Sequence, residues 1–140
     1  IQDTVNSVIN VIQIAILAIG AISLIVGGIG IMNIMLVAVT ERTREIGIRK
    51  AIGAQKKDII IQFLVEAVLL TSMSGLVGII IGIIPSFPLA TIANCSPTDL
   101  ISPSIIIVSI GVAVLCGVFF GVYPAKKAAD LDPIESLRYE

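Results

Sequence analysis

The sequence contains no histidine, and lysine and arginine occur in only two short stretches. The lack of histidine excludes a His-based metal site and a His-dependent catalytic triad. The two cysteines, Cys95 and Cys116, are too few for a disulfide framework, and we expect them at different depths, unpaired. With 14% charged and 56% hydrophobic residues, the composition is not that of an ordinary soluble protein, in which about a quarter of residues are charged.

The positive charges are confined to two parts of the chain. All nine lysines and arginines lie in 42–57 and 126–138. Short loops rich in lysine and arginine remain on the cytoplasmic side of a membrane. The sequence before and between them is apolar over lengths that exceed the ~20 residues of a membrane-spanning helix. The pattern therefore predicts an integral membrane chain whose basic segments lie inside the cell.

The predicted fold is all-α, with three transmembrane helices. The expected spans are about 14–39, 59–84 and 105–123. The first uncharged stretch, 4–40, would form a helix of roughly 55 Å, longer than a hydrocarbon core of about 30 Å, so its outer part should project as a stalk. Counted from the basic loop, the N-terminal end lies outside, 40–58 and 124–140 are cytoplasmic, and 85–104 is an outer, proline-broken loop.

Small residues recur on the predicted spans at helical spacing, which favours close contact between helices. They are Gly27, Gly28 and Gly30 in the first span, Ser74, Gly78 and Gly82 in the second, and Ala113, Gly117 and Gly121 in the third. The alternative is that glycine is simply frequent in membrane helices. The sequence leaves both interpretations open for any single pair.

Glu66 is the one ionisable residue within a predicted span. A carboxylate at that depth should face protein, and we expect Arg42 or Arg44 as its partner. The alternatives are a protonated side chain or one that bends back to the interface. A proton relay would need further acids within the spans, and the sequence has none.

The first cytoplasmic segment is predicted to form a short basic helix that ends near Gly53, before a new helix starts near Gln55. Ile48, Ala51 and Ile52 share one face of it. Such a helix either rests on anionic lipid or docks on a soluble partner, and the residues alone favour lipid.

The second cytoplasmic segment is predicted to begin at Pro124, where the third span ends. Asp132 should cap a short helix, with Pro133 at its first position and Glu135 at its third. Ile134 and Leu137 form its apolar edge. Both cytoplasmic segments are expected to pack on a partner that is not in this chain.

Several longer motifs resemble one family. Val26-Gly-Gly-Ile-Gly-Ile-Met-Asn-Ile-Met35 and Val39-Thr-Glu-Arg-Thr-Arg-Glu-Ile-Gly-Ile-Arg49 are followed by Gln62-Phe-Leu-Val-Glu-Ala67 and Asp132-Pro-Ile-Glu-Ser-Leu-Arg-Tyr-Glu140. Together they resemble the MacB-type permeases of ABC transporters, which carry an FtsX-like domain. The resemblance covers essentially the whole chain, although the loop 85–104 carries no motif of the family.

The resemblance implies the C-terminal portion of such a permease, with helices two to four of four. A further transmembrane helix and an extracytoplasmic domain are expected upstream. It also implies a multi-pass protein of the bacterial inner membrane that acts as a homodimer with an ATP-binding subunit or domain. ATP and Mg²⁺ would bind there, so no cofactor or catalytic residue is expected here. An adaptor protein outside the membrane and membrane lipid are further expected partners, and nucleic acid is not.

By position, segment 43–53 resembles the coupling helix that docks on the ATPase. Its candidate contact residues are Arg44, Glu45, Ile48, Arg49 and Ile52. This reverses the preference for lipid, and the tail 132–140 is a second candidate contact. The expected function is transmission of ATP-driven movement for export of an antibiotic, a peptide or a lipoprotein. The alternative is an FtsX-like regulator of cell-wall hydrolases, and a third reading is an ion pathway through Glu66.

Overall fold

The chain is helical between short turns. The structure is a computed structural model that describes residues 2–93 and 102–137. Cys95, for which no pairing is expected, lies outside these residues, as do the side chains of Glu135 and Leu137. Within the described ranges the helices are α1 (Gln2–Glu41), α2 (Thr43–Ala51), α3 (Lys56–Ile83), α4 (Ser86–Ala93), α5 (Pro103–Asp130) and α6 (Pro133–Leu137).

Three of these elements are long and apolar enough to cross a membrane, by length and composition. They are α1, α3 and α5, so the predicted all-α membrane fold is confirmed. At 40 residues, α1 is about 60 Å long and exceeds the bilayer core. Residues 2–27 of α1 are exposed along their whole length. Among residues 2–93 and 102–137, the buried positions of this first helix all lie in its C-terminal third.

The tightest helix pair is α3 against α5, which run antiparallel. Small residues on one helix meet small residues on the other at successive turns. The pairs are Gly75 with Ala113, Thr71 with Gly117 and Ala67 with Gly121. Because each pair leaves little side chain between the backbones, the two helices approach closely.

The buried core lies at the end of the helices that carries the basic segments. It joins α1, α2, α3 and α5 through Met35, Val39, Ile46, Ile59, Phe63, Ala67, Ala125, Ala128 and Ala129. Toward the other end, the large apolar side chains of the spans are mostly exposed. The helices therefore pack on one another mainly at the end that carries the lysine- and arginine-rich segments.

The helix that contains the third predicted span extends beyond it. Pro124 does not end the helix, because α5 continues through it to Asp130. A proline removes one backbone hydrogen bond and costs about 3 kcal/mol inside an ordinary helix. Here Pro124, Ala125 and Ala128 are all buried, and alanine has the highest helix propensity. The stabilisation from tertiary packing and from the helix propensity of alanine therefore exceeds the free-energy cost of the proline.

The predicted outer loop also differs from the structure. A proline-broken connection was expected over 85–104, whereas Ser86–Ala93 forms the two-turn helix α4. Pro88 stands at its third residue, within the first turn, where a missing N–H has no intrahelical partner to lose. The loop prediction is wrong for this part of the segment.

Candidate functional site

The site is built around α2, which lies between the first two long helices. Arg42 alone separates α1 from α2, and its N–H still bonds to the carbonyl of Ala38 at 3.0 Å. On the other side, Gly53 has φ +106°, a conformation that L side chains rarely adopt. Gln55 and Asp58 then form a capping box that starts α3. The predicted stop at Gly53 and restart near Gln55 agree with this geometry.

One side of α2 is packed against the short C-terminal helix α6. Ile46 and Gly47 are buried, and a Cβ placed on Gly47 would lie 2.7 Å from the Cβ of Ser136. Ser136 is only 2% exposed and its hydroxyl donates to the carbonyl of Asp132 at 2.6 Å. The two segments predicted to be cytoplasmic therefore pack on each other, which corrects the expectation that their partner lies entirely outside this chain.

The predicted cap of α6 is formed. Asp132 Oδ1 accepts a hydrogen bond from the N–H of Ile134 at 2.8 Å, and Pro133 is the first helical residue. The side chain of Ile134 is 80% exposed. The small helix thus turns Ser136 towards α2 and leaves Ile134 free to meet another surface.

Polar side chains tie α2 to α3. Arg49 donates to the side-chain oxygen of Gln62, and its guanidinium lies 2.5 Å from a carboxylate oxygen of Glu45, one turn earlier on α2. Two of the predicted coupling residues, Arg49 and Glu45, are therefore part of an internal network. Both remain about half exposed, at 42% and 51% of their side chains.

Lysines tie the same region to the end of α5. The ammonium of Lys50 donates to the carbonyl of Ala129 at 2.6 Å and also to that of Leu131. Lys56 Nζ lies 2.7 Å from Asp130 Oδ1. Through this hydrogen bond and its charge, Lys56 holds the pKa of the exposed Asp130 carboxyl, seven residues beyond the predicted span, below its ordinary value.

The opposite side of α2 is open. Ile48 is 46% exposed and Ile52 is 81% exposed, and Arg44 and Ala51 are exposed beside them. Ile48 and Ile52 lie one helical turn apart, so this side carries a small exposed apolar patch beside a positive charge. The predicted coupling residues thus divide into an open group, Arg44, Ile48 and Ile52, and an internally bonded group.

Arg42 is the arginine that lies at Glu66. Its Nη1 is 3.4 Å from Glu66 Oε2, and the side chains are 48% and 35% exposed. Arg44, the other candidate, is exposed on α2. The pair joins the α1–α2 junction to α3, which is the structural pairing expected for Glu66.

The glycines singled out for helix packing fall into two groups. A Cβ on Gly117 would lie 2.3 Å from Thr71 Oγ1, and one on Gly121 would lie 2.7 Å from Ala67 Cβ. In contrast, a Cβ on four others would meet no heavy atom within 4 Å in the described part of the chain; they are Gly27, Gly30, Gly78 and Gly82. Contact of these four with another helix stays a prediction.

Two further glycines make close helix contacts that the sequence did not lead us to predict. Gly47 adjoins Ser136, and Gly75 adjoins Ala113, whose Cβ would lie 2.9 Å from a Cβ placed on Gly75. For Gly75 a signal existed, because Ala67, Thr71 and Gly75 repeat at a spacing of four and match the small face of α5. For Gly47 none existed, since its neighbour lies about ninety residues away in sequence.

Comparison with known proteins decides the family. The model of the FtsX-like permease C-terminal region matches residues 17–133. The chain belongs to the FtsX-like permease family. Its similarity to the MacB-type permeases extends over the whole chain, so the resemblance seen in the sequence motifs is confirmed.

Curated relatives of this FtsX-like permease chain bear transporter names. It is 49% identical over 140 residues to the macrolide export ATP-binding/permease protein MacB of Bdellovibrio bacteriovorus, covering 100% of this chain and 21% of the relative. To MacB of Syntrophobacter fumaroxidans it is 52% identical over 137 residues, which is 98% of this chain and 19% of that protein. To the uncharacterized ABC transporter permease YknZ of Bacillus subtilis it is 55% identical over 123 residues, covering 88% and 30%.

The chain thus spans between a fifth and a third of the length of these relatives. Together with three helices capable of crossing a membrane, the family assigns it as part of a multi-pass ABC transporter permease. The sequence has no GxxxxGK[ST] phosphate-binding loop, so the ATP-binding function in the names of the MacB relatives is not carried by that motif here.

Proposed function

We propose that this permease chain transmits ATP-driven movement from α2, on the cytoplasmic side, to the outer end of α1. The single observation that carries the proposal is the division of α2 into two sides. One side is packed and bonded to α3, α5 and α6, and the other exposes Ile48 and Ile52. A partner that moves the open side must move the attached helices with it.

The path from α2 to the outer end of α1 follows a nearly continuous run of helix. Arg42 joins the two helices with the backbone hydrogen bond still made, and its side chain is paired with Glu66 on α3. Met35 and Val39 anchor the last turns of α1 in the core, whereas residues 2–27 have no such packing. A small rotation of α1 about its packed end would therefore move the outer end of this rod of about 60 Å by a larger distance.

The partner proposed for the open side of α2 is an ABC ATP-binding domain, which would carry the ATP and Mg²⁺. The protein would reside in the bacterial inner membrane, with the N-terminal end of α1 outside and the C-terminal helix in the cytoplasm. This orientation follows from the confinement of lysine and arginine to 42–57 and 126–138. A second permease copy, membrane lipid and an outer adaptor complete the proposed assembly, in which this chain has no catalytic residue.

The test replaces the exposed isoleucines of α2. In the full transporter, the double substitution Ile48→Asp and Ile52→Asp should abolish coupling of ATP hydrolysis to transport while leaving membrane insertion intact. Burying two carboxylates in an apolar contact costs several kcal/mol, enough to break the docking. The measurement is ATP hydrolysis and substrate transport in reconstituted vesicles, with Lys57→Asp as the control at an exposed site outside α2. Normal stimulated hydrolysis in the double variant would refute the proposal.

For the transported molecule, the names of the MacB relatives give the first candidate. We propose a macrolide as the substrate to assay before a peptide or a lipoprotein. The expected result is a macrolide resistance that depends on the permease and on its ATP-binding partner. Resistance that is unchanged when the permease gene is deleted would remove macrolides from the candidates and leave the coupling proposal standing.

A further inference from the structure

The C-terminal end of α5 is held by a lysine from another helix. The last four carbonyls of a helix have no partner within that helix, and an unsatisfied buried carbonyl costs roughly 1–3 kcal/mol. Ala129 is only 1% exposed, so its carbonyl belongs to this costly class. Lys50 on α2 donates to it at 2.6 Å and also donates to the carbonyl of Leu131, at the C-cap of α5.

The charge of Lys50 suits this position for a second reason. The C-terminus of a helix carries a partial negative charge, and a cation there is stabilising. Of the six basic residues in 42–57, Lys50 is the one placed against these carbonyls, and its side chain is partly buried. It therefore acts as a cap supplied to α5 by α2.

Two further contacts join the same elements. Gly47, three residues before Lys50, leaves room for Ser136 of α6, since a Cβ on Gly47 would be 2.7 Å from that of Ser136. Lys56 pairs with Asp130 at the end of α5. Because α5 runs unbroken from Pro103 through Pro124 to Asp130, its cytoplasmic end and its membrane-spanning part are one helix. A contact made at Asp130 therefore acts on the same helix that forms the third span.

We propose that Lys50 is a positioning residue that binds the end of α5 to the back of α2, so that movement of α2 reaches the third span as well as α1. The inference rests on the proposed coupling role of α2 and deepens it by a second route. The first route runs through the α1–α2 junction at Arg42, and the second runs through Lys50. The pair Lys56–Asp130 and the packing of α3 on α5 also hold α5, so loss of Lys50 should weaken the second route and leave the first intact.

The structural arm of the test measures distance in the full-length transporter in lipid nanodiscs. Spin labels are attached to Ala51→Cys on α2 and Ile134→Cys on α6, with Cys95 and Cys116 replaced by serine. With Lys50 present, the distance distribution should be narrow. Lys50→Met should raise about tenfold the population of molecules in which α6 is displaced from α2, as expected for loss of a charge-assisted hydrogen bond. The matched control Lys57→Met, at an exposed site at the start of α3, should leave the distance distribution narrow. A narrow distribution in Lys50→Met overturns the inference.

The functional arm follows each route separately. An environment-sensitive fluorophore is placed at Ser7→Cys near the outer end of α1, or at Ser104→Cys near the outer end of α5, and ATP with vanadate is added. Lys50→Met should reduce the fluorescence change at Ser104 and keep the full change at Ser7, whereas Lys57→Met should keep both at full size. A Ser104 change of undiminished size in Lys50→Met overturns the inference, and so does loss of both changes.

The two proposals fail in different ways. If the labelled protein that retains Lys50 shows no fluorescence change at Ser7 or at Ser104, the proposed coupling function is wrong, and the second route is wrong with it. The spin-label distances still show whether Lys50 holds α5 to α2. If Lys50→Met does not insert into the membrane, Gly47→Ala replaces it, since its methyl group would push α6 from α2. Gly47→Ala should then broaden the label distance and reduce the Ser104 change, and the absence of either effect counts against the inference.

Discussion

At the scale of single residues, glycines with similar sequence surroundings have different contacts. Gly117 faces α3, where even a methyl group would meet Thr71 and the backbone of Val68 at 2.9 Å. Gly78 faces an apolar crevice between α3 and α5 of about 430 Å³, with open space where a Cβ would stand. The difference is one of neighbours, because both glycines lie in long apolar helices and both have a glycine four residues away.

The first residue-scale prediction compares these two glycines. Gly117→Ala should lower the free energy of unfolding by about 1–3 kcal/mol, because the methyl group forces α3 and α5 apart. Gly78→Ala should leave it unchanged or raise it by up to ~1 kcal/mol, since alanine is the better helix former. Unfolding of the purified protein in detergent, followed by circular dichroism, measures both. Equal losses would contradict the assigned α3–α5 contact.

At the scale of elements, the junction of α1 and α2 is fixed to α3 by one ion pair. Arg42 and Glu66 are 3.4 Å apart and partly exposed, so their interaction is screened by solvent. An exposed pair is worth about 0.2–1 kcal/mol, which is enough to bias the orientation of α2 without locking it. A pair of this strength is compatible with the movement of α2 that we propose.

A double-mutant cycle tests that pairing. Arg42→Met and Glu66→Gln, alone and together, should show a coupling energy of about 0.2–1 kcal/mol that declines as salt is added. The same cycle with Arg44→Met in place of Arg42→Met should show none, because Arg44 is exposed elsewhere on α2. Denaturation in detergent at low and high salt gives the energies. Coupling of Glu66 to Arg44 would mean that the arginine has been assigned wrongly.

At the scale of the whole molecule, packing is concentrated at one end. The core residues of α1, α3 and α5 gather beside the basic segments, and the far part of α1 is exposed. In a membrane protein lipid covers such apolar exposure, so it has no large cost. The arrangement is a packed base at the end that carries the basic segments, with a long exposed helix leading away from it.

Membrane orientation is the prediction at this scale. In a background with Cys95 and Cys116 replaced by serine, an impermeant maleimide added to intact cells should label Ser7→Cys and should not label Lys127→Cys. After permeabilisation both should react, which is the control for accessibility. The expectation follows from the positive-inside rule applied to 42–57 and 126–138. Labelling of Lys127→Cys from outside intact cells would invert the topology and remove the proposed contact with a cytoplasmic ATPase.

The sequence by itself determined the class of fold, the three spans, the α2 segment and the family. These features depend on local composition, charge distribution and contiguous motifs, which can be read without knowing what lies nearby in space. Even the cap at Asp132 is local, since its acceptor and donor are two residues apart.

Only the tertiary structure decided which surfaces are free. The continuation of α5 past Pro124 depends on the burial of Ala125 and Ala128 against other helices, which no local rule contains. The caps and contacts that Lys50 and Gly47 supply join residues about eighty to ninety positions apart in sequence. The open face of α2 is likewise defined by what covers its other side. Long-range packing, rather than local preference, therefore shaped the site.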